Sequence, residues 1–259
     1  MIKAVFFDVD GTLLSFKTHQ IPESTLEAIS LLQKKNIRVL LATGRSFHQL
    51  QKPEFKNFDG YVTFNGNVCL NHNQEIFFKN SIPKSDLEAL IAYQENVRPF
   101  PCAFMSIQEN TLNYVDDDVV SVFNMLSLPI QKTKDMREAI KNDVIQLNVF
   151  LNPQEEKDVM EKALVSCETS RWTDLFADVN VKNTNKSTGV DQFAKLFNID
   201  VAETLSFGDG GNDLAMLKHT GIGVAMGDAS ANVKAAADYV TDGVDDNGIW
   251  NALKHFEII

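Results

Sequence analysis

The sequence predicts an α/β fold in which a parallel-sheet core is interrupted by an inserted α+β module. Three observations carry that prediction. Apolar runs near the N-terminus end in small polar residues and are joined by helical periodicity, the pattern of strands covered on both faces. Between residues 81 and 185 hairpin-like strands interleave with helices instead. The strand–helix alternation then returns, so residues 1–80 and 186–259 are expected to form one core around an inserted domain, 81–185. At 259 residues, 44% of them hydrophobic, the chain is long enough to bury such cores.

Ala4-Val5-Phe6-Phe7 reads as the first strand and runs into Asp8-Val9-Asp10-Gly11-Thr12. Pro22 opens a helix whose Leu26, Ile29 and Leu32 share a face. Residues 37–42 form a second strand ending in Thr43-Gly44-Arg45, and a helix is expected from about Ser46. Residues 60–64 form a third, followed by Asn65-Gly66, and residues 68–79 alternate around Asn71-His72-Asn73 as a hairpin. In the insert, helices are predicted at 85–96, 119–126, near Met136 and at 155–164, and strands at 100–107, 111–115, 144–151 and within 169–181. Beyond it, a helix at 187–197 precedes the strand 204–207, which leads into Gly208-Asp209-Gly210-Gly211-Asn212-Asp213 and a further helix. A strand at 222–225, a helix at 231–237, a short strand at Tyr239-Val240 and a helix at 249–256 close the chain.

The formal net charge is −11 with scattered lysines and arginines, so the basic stripe needed to track a nucleic-acid backbone is missing. No apolar run reaches membrane-spanning length. Met1-Ile2-Lys3 leads directly into a strand, and Cys69, Cys102 and Cys167 have no paired spacing, so a reducing, cytoplasmic setting is expected. The oligomeric state is not legible.

Chemistry is expected where the strands end. Alternation along a strand lets Asp8 and Asp10 project to one side, and Gly11 permits a sharp turn. Two carboxylates that close require a cation or a division into acid and base. On its own, Asp-x-Asp-Gly also describes a strand ending in a solvated acidic turn. The second cluster repeats the pattern, and if both lie at one sheet edge, Asp8, Asp10, Asp209 and Asp213 converge as hard oxygen ligands suited to Mg²⁺. Thr43 ends its strand beside them, able to bond an anion or to cap the next helix.

In order, spacing and context, Asp8-Val9-Asp10-Gly11-Thr12, Thr43, Lys186 and Gly208-Asp209-Gly210-Gly211-Asn212-Asp213 resemble the four motifs of the haloacid dehalogenase superfamily. More narrowly the chain resembles the Cof-type sugar phosphatases, which carry a large α/β cap between the second and third motifs. The match extends through Gly221-Ile222-Gly223-Val224-Ala225-Met226-Gly227, and covers essentially the whole chain. Two departures are Ser187 where glycine often follows the lysine, and Asp228 where asparagine is frequent. Lys182 competes for the third motif, but Lys186 better precedes the helix carrying Val190 and Phe193.

The resemblance implies a Rossmann-like parallel-sheet core with an inserted α+β cap, and a phosphatase acting on small phosphorylated metabolites. It implies Asp8 as nucleophile, Asp10 as general acid and base, and Mg²⁺ at Asp8, the Asp10 carbonyl, Asp209 and Asp213. Thr43, Lys186 and Asn212 would hold phosphate. Arg45, Asn65, Arg171, Trp172 and Asp178 are candidates for contacting a polyhydroxylated leaving group, although each could equally be structural. A phosphomutase of the phosphomannomutase type, or a phospho-accepting regulator or sensor without turnover, are the alternatives.

Overall fold

The computed structural model describes the chain except Lys52, residues 126–128 and Trp172. From the N-terminus, β1 (Ala4–Phe7), α1 (Glu23–Lys34), β2 (Arg38–Ala42), β3 (Gly60–Thr63), β4 (Val68–Asn71) and β5 (Ile76–Lys79) follow one another. Next come α2 (Lys84–Asn96), β6 (Cys102–Ser106), β7 (Asn110–Leu112), α3 (Asp117–Met125), β8 (Lys132–Thr133), α4 (Met136–Ala139), β9 (Val144–Val149), α5 (Pro153–Lys162), β10 (Cys167–Ser170) and β11 (Ala177–Val181). The chain ends with α6 (Lys186–Phe197), β12 (Thr204–Gly208), α7 (Leu214–His219), β13 (Ile222–Ala225), α8 (Ala231–Lys234), β14 (Tyr239–Val240) and α9 (Gly248–His255). The chain divides into two compact units, Met1–Lys79 with Thr184–Ile259, and Asn80–Asn183.

The first unit holds an eight-stranded sheet in the order β14-β13-β12-β1-β2-β3-β4-β5. From β14 to β3 the neighbours are parallel, and β4 and β5 add an antiparallel edge. Every residue of β1 is buried, as its unbroken apolar run requires. Val190 and Phe193 of α6 and Met216 of α7 join Phe6, Leu40 and Val62 in one core cluster. The Phe7 and Phe207 rings stack at 5.3 Å. Three details differ from the sequence reading. The buried stripe of α1 is Thr25, Ala28, Ile29 and Leu32, leaving Leu26 exposed, because the helix is turned so that its smaller residues face inward. β3 stops at Thr63, since Phe64 and Asn65 take positive φ (50° and 53°) and turn the chain through a 3₁₀ segment. A 3₁₀ turn, Phe47–Leu50, capped by Ser46, stands where a helix was expected.

The second unit holds a six-stranded sheet, β10-β11-β9-β6-β7-β8, antiparallel except for the β7–β8 pair. Leu87 and Leu90 of α2 and Val159 of α5 share a core cluster with Cys102, Phe104, Leu147, Val149 and Val179 of the sheet. α5 starts with Asn152 accepting from the N–H groups of Gln154 and Glu155, with Pro153 at its first position. Among the described residues no helix is long and apolar enough to cross a membrane. The architecture is α/β, with a parallel-sheet core and an inserted α+β unit.

Candidate active site

The site lies at the carboxyl ends of β1, β2 and β12, which are neighbours in the sheet. Asp8 prolongs β1, its N–H donating to the Phe207 carbonyl at 3.0 Å, and is buried. β12 delivers Gly208 and then Asp209, and a 3₁₀ turn, Gly211–Asp213, brings Asp213 back beneath it. Lys186 is the first residue of α6, whose start is fixed by Asn185 accepting from the Ser187 N–H at 2.9 Å.

These elements converge on one ion cluster. Lys186 is 0% exposed, and its Nζ donates to Asp8 Oδ1 at 2.5 Å and to Asp213 Oδ1 at 2.6 Å. Asp213 Oδ2 accepts from the N–H groups of Asp209 (3.0 Å) and Gly210 (2.8 Å), closing the turn. Thr12, fully buried, donates from Oγ1 to Asp209 Oδ1 at 3.0 Å. Carboxylate oxygens of Asp8, Asp209 and Asp213 all lie within 4.8 Å of one another. Lys186, not Lys182, meets Asp8; Lys182 Nζ donates to the Val165 carbonyl in the second unit.

Burial pushes Asp8 well above the ordinary carboxylate range, Asp213 adds to the rise, and Lys186 opposes it. Asp209 is pushed up to about 6 by burial and by Asp213, against the Thr12 hydrogen bond. Burial alone would lower Lys186, but Asp213 and Asp8 outweigh it and hold the ammonium protonated above its usual range. Three buried or half-buried carboxylates against one ammonium leave uncompensated negative charge. A hard divalent cation fits that donor set, with Asp8 and Asp209 offering oxygens and Asp213 already engaged by three donors.

The Asp10 carboxylate stands outside this triad and is gripped by Arg45, Nε to Oδ2 at 2.8 Å and Nη2 to Oδ1 at 2.5 Å. Arg45 in turn donates its N–H to Thr43 Oγ1 at 3.1 Å, and the Asn65 N–H donates to the Thr43 carbonyl at 3.0 Å. Asn212 Nδ2 donates to Asn65 Oδ1 at 3.0 Å, tying the β12 loop to the turn after β3. Asp10, Arg45, Thr43, Asn65 and Asn212 therefore form one connected set within the first unit. Gly66 permits that turn: its φ is +99°, and a Cβ there would lie 2.0 Å from the Asn185 carbonyl oxygen.

Arg171 and Asp178 belong to the second unit. Arg171 pairs with Glu156 and donates to the carbonyls of Leu151, Thr173, Asp174 and Phe176, clamping its own loop. Asp178 accepts from Asn148 Nδ2 across β11 and β9 at 2.5 Å. Trp172 lies outside the described residues. Sequence reading gave no role to Thr12 or Asn185, which orient Asp209 and Lys186. Thr12 lay within the first motif, and Asn185 carried the signal of a helix cap directly before Lys186.

A family model described as haloacid dehalogenase-like hydrolase matches residues 5–253. The chain belongs to that family. Within it, the chain stands with the phosphatases. YkrA of Bacillus subtilis is 32% identical over 99% of this chain and 98% of its own length. The 5-amino-6-(5-phospho-D-ribitylamino)uracil phosphatase YbjI of Escherichia coli is 27% identical over 97% of this chain and 95% of its own. Among solved structures, BT1666 from Bacteroides thetaiotaomicron superposes with a TM-score of 0.94 at 36% identity, covering 100% of this chain and 96% of that one. BT4131, described as a HAD subclass IIB sugar phosphatase, gives a TM-score of 0.87 at 41% identity over 99% of this chain and 100% of that one.

Proposed function

We propose that this haloacid dehalogenase-like phosphatase hydrolyses small phosphorylated metabolites, sugar phosphates foremost, with Mg²⁺ and through a phosphorylated Asp8. The observation that carries the reading is the pairing of Asp8 with Lys186 inside a triad of carboxylates at the end of β1. Likeness to the sugar phosphatase BT4131 supports the substrate class.

In the first step an Asp8 oxygen attacks phosphorus as the bond from phosphorus to the leaving oxygen breaks, and Asp10 gives that oxygen its proton. In the second, Asp10 takes a proton from water as the water oxygen attacks phosphorus, and the bond to Asp8 breaks to release phosphate. Lys186 holds the Asp8 carboxylate in place and offsets the charge of an arriving phosphoryl group. Thr43 and Asn212 lie on the connected set next to Asp10, and hydrogen bonds from them to phosphoryl oxygens would hold the substrate for attack. Mg²⁺ held by Asp8 and Asp209, with Asp213 behind them, would supply charge neutralisation between nucleophile and substrate. Arg45 fixes the orientation of Asp10. The second unit is assigned to leaving-group specificity.

Phosphate release from sugar phosphates, nucleotides and an aryl phosphate, with Mg²⁺ and with chelator, tests the reading. Mg²⁺-dependent release favouring sugar phosphates, abolished in Asp8→Asn, is expected. Turnover by pure Asp8→Asn, with deamidation excluded, would sink the mechanism.

A further inference from the structure

Eighteen phenylalanines occur in the chain, and Phe16 alone among them is exposed, with 65% of its surface accessible. Single exposed apolar side chains are ordinary. What sets Phe16 apart is its address and the way it is held there.

The chain on either side is pinned. Leu13 and Leu14 are buried, and the Gly11 N–H donates to the Leu14 carbonyl at 2.9 Å. Ser15, 1% exposed, donates its N–H to Gln20 at 3.1 Å and accepts at its carbonyl from the His19 N–H at 2.9 Å. Its hydroxyl oxygen accepts from the N–H groups of Lys17 (3.0 Å) and Thr18 (3.2 Å). Phe16 is thus the single apolar residue in the exposed tip 16–20, presented by a tightly bonded turn.

Its ring reaches back to the acid cluster. A Cβ placed on Gly11, whose φ is +84°, would lie 2.7 Å from Phe16 Cε2 and 2.3 Å from Asp209 Oδ2. The ring edge and the Asp209 carboxylate therefore meet over the residue that follows Asp10. The side chains placed in and beside the cluster, Asp8, Asp10, Asp209, Arg45 and Lys186, are all charged. Such groups suit a phosphoryl oxygen and offer nothing to the carbon skeleton attached to it. The aromatic face does, because the C–H face of a furanose or pyranose ring is apolar while its rim is hydroxylated.

We propose that Phe16 is a specificity-determining residue, its exposed ring forming the apolar rim of the acid cluster against which the ring of a sugar leaving group packs. The inference rests on the phosphatase reading. It assigns Phe16 no part in bond breaking, so its loss should follow the leaving group and not the phosphoryl transfer.

The test compares kcat and KM for glucose 6-phosphate and for acetyl phosphate, whose leaving group has no ring, using wild type, Phe16→Ala and Phe16→Trp. For Phe16→Ala, kcat/KM for the sugar phosphate should fall roughly tenfold or more, chiefly through KM, with a change under about threefold for acetyl phosphate. Phe16→Trp should restore the sugar phosphate to within about threefold. Equal losses on both substrates, or no loss on the sugar phosphate, would overturn the proposal. Wild-type turnover of acetyl phosphate with none of the sugar phosphate would overturn it and leave the phosphatase reading standing. Wild-type inactivity on both would instead remove the phosphatase reading itself, before any variant is made.

Discussion

Replacing Lys186 with methionine preserves most of the side-chain volume and deletes the ammonium that touches Asp8 and Asp213 at 2.5 and 2.6 Å with no solvent exposure. Removing one partner of a buried ion pair costs about 3–5 kcal/mol, because the other charge is left without compensation. At about 2–4 °C per kcal/mol for a chain of this size, the melting temperature should fall by roughly 6–20 °C at neutral pH. The deficit should shrink as the solution is acidified. Asp8 binds protons more tightly folded than unfolded in both proteins, and more so in the variant, where Lys186 no longer opposes the rise, so the variant gains more stability than the wild type as pH drops. Calorimetric scans in chelator at several pH values between 7.5 and 5 measure both effects. A melting temperature within about 2 °C of wild type at pH 7.5, or a deficit that stays constant with pH, would refute the assignment of Lys186 as the counter-charge of the cluster.

Asp209→Asn should stabilise the chelated protein at pH 7: a rise in pKa from 3.8 to about 6 means that ionisation of Asp209 opposes folding by up to roughly 3 kcal/mol. That penalty is fully present above pH 6 and gone below 3.8, so the gain should fade across that interval, and Mg²⁺ should raise the melting temperature of wild type more than that of the variant; urea titrations at pH 7 and pH 4 would expose a missing or inverted trend. Gly66→Ala meets both a φ of +99° and the Asn185 carbonyl at 2.0 Å, so it should lose more than about 1 kcal/mol and, by displacing the start of α6, lower kcat as well. A urea midpoint and kcat both equal to wild type would show that the turn yields freely.

Much of the first unit was legible because its strands are unbroken apolar runs with polar ends, so period and punctuation agree. Asp8, Asp209 and Lys186 could be named since each sits where such a strand ends or a helix begins. The pairings were not legible. That Arg45 grips Asp10, that Thr12 steadies Asp209 and that Asn65 meets Asn212 depend on neighbouring strands brought together from distant parts of the chain. The partners of Arg171 were hidden for a related reason: a guanidinium looks the same in sequence whether it stands open or is held by Glu156 and four carbonyls. The halt of β3 at Thr63 was equally hidden, because Phe64 at positive φ contradicts its own β propensity and is imposed by the turn that follows.

The pairing of β1 with β12, Ala4 beside Thr204, has a consequence for how the protein is made. At roughly 5–20 residues per second, on the order of 10–40 s separate the emergence of the first strand from that of its partner. During that time β1 can pair only with β2 on its other side, and the edge that β12 will cover stays open. The segment 80–183, with its own sheet and core, can fold meanwhile as a unit. Asp8 receives its ammonium only when α6 arrives, so a nascent chain halted before residue 186 should be a folded outgrowth on an unfinished, adhesive sheet, a natural client for chaperones.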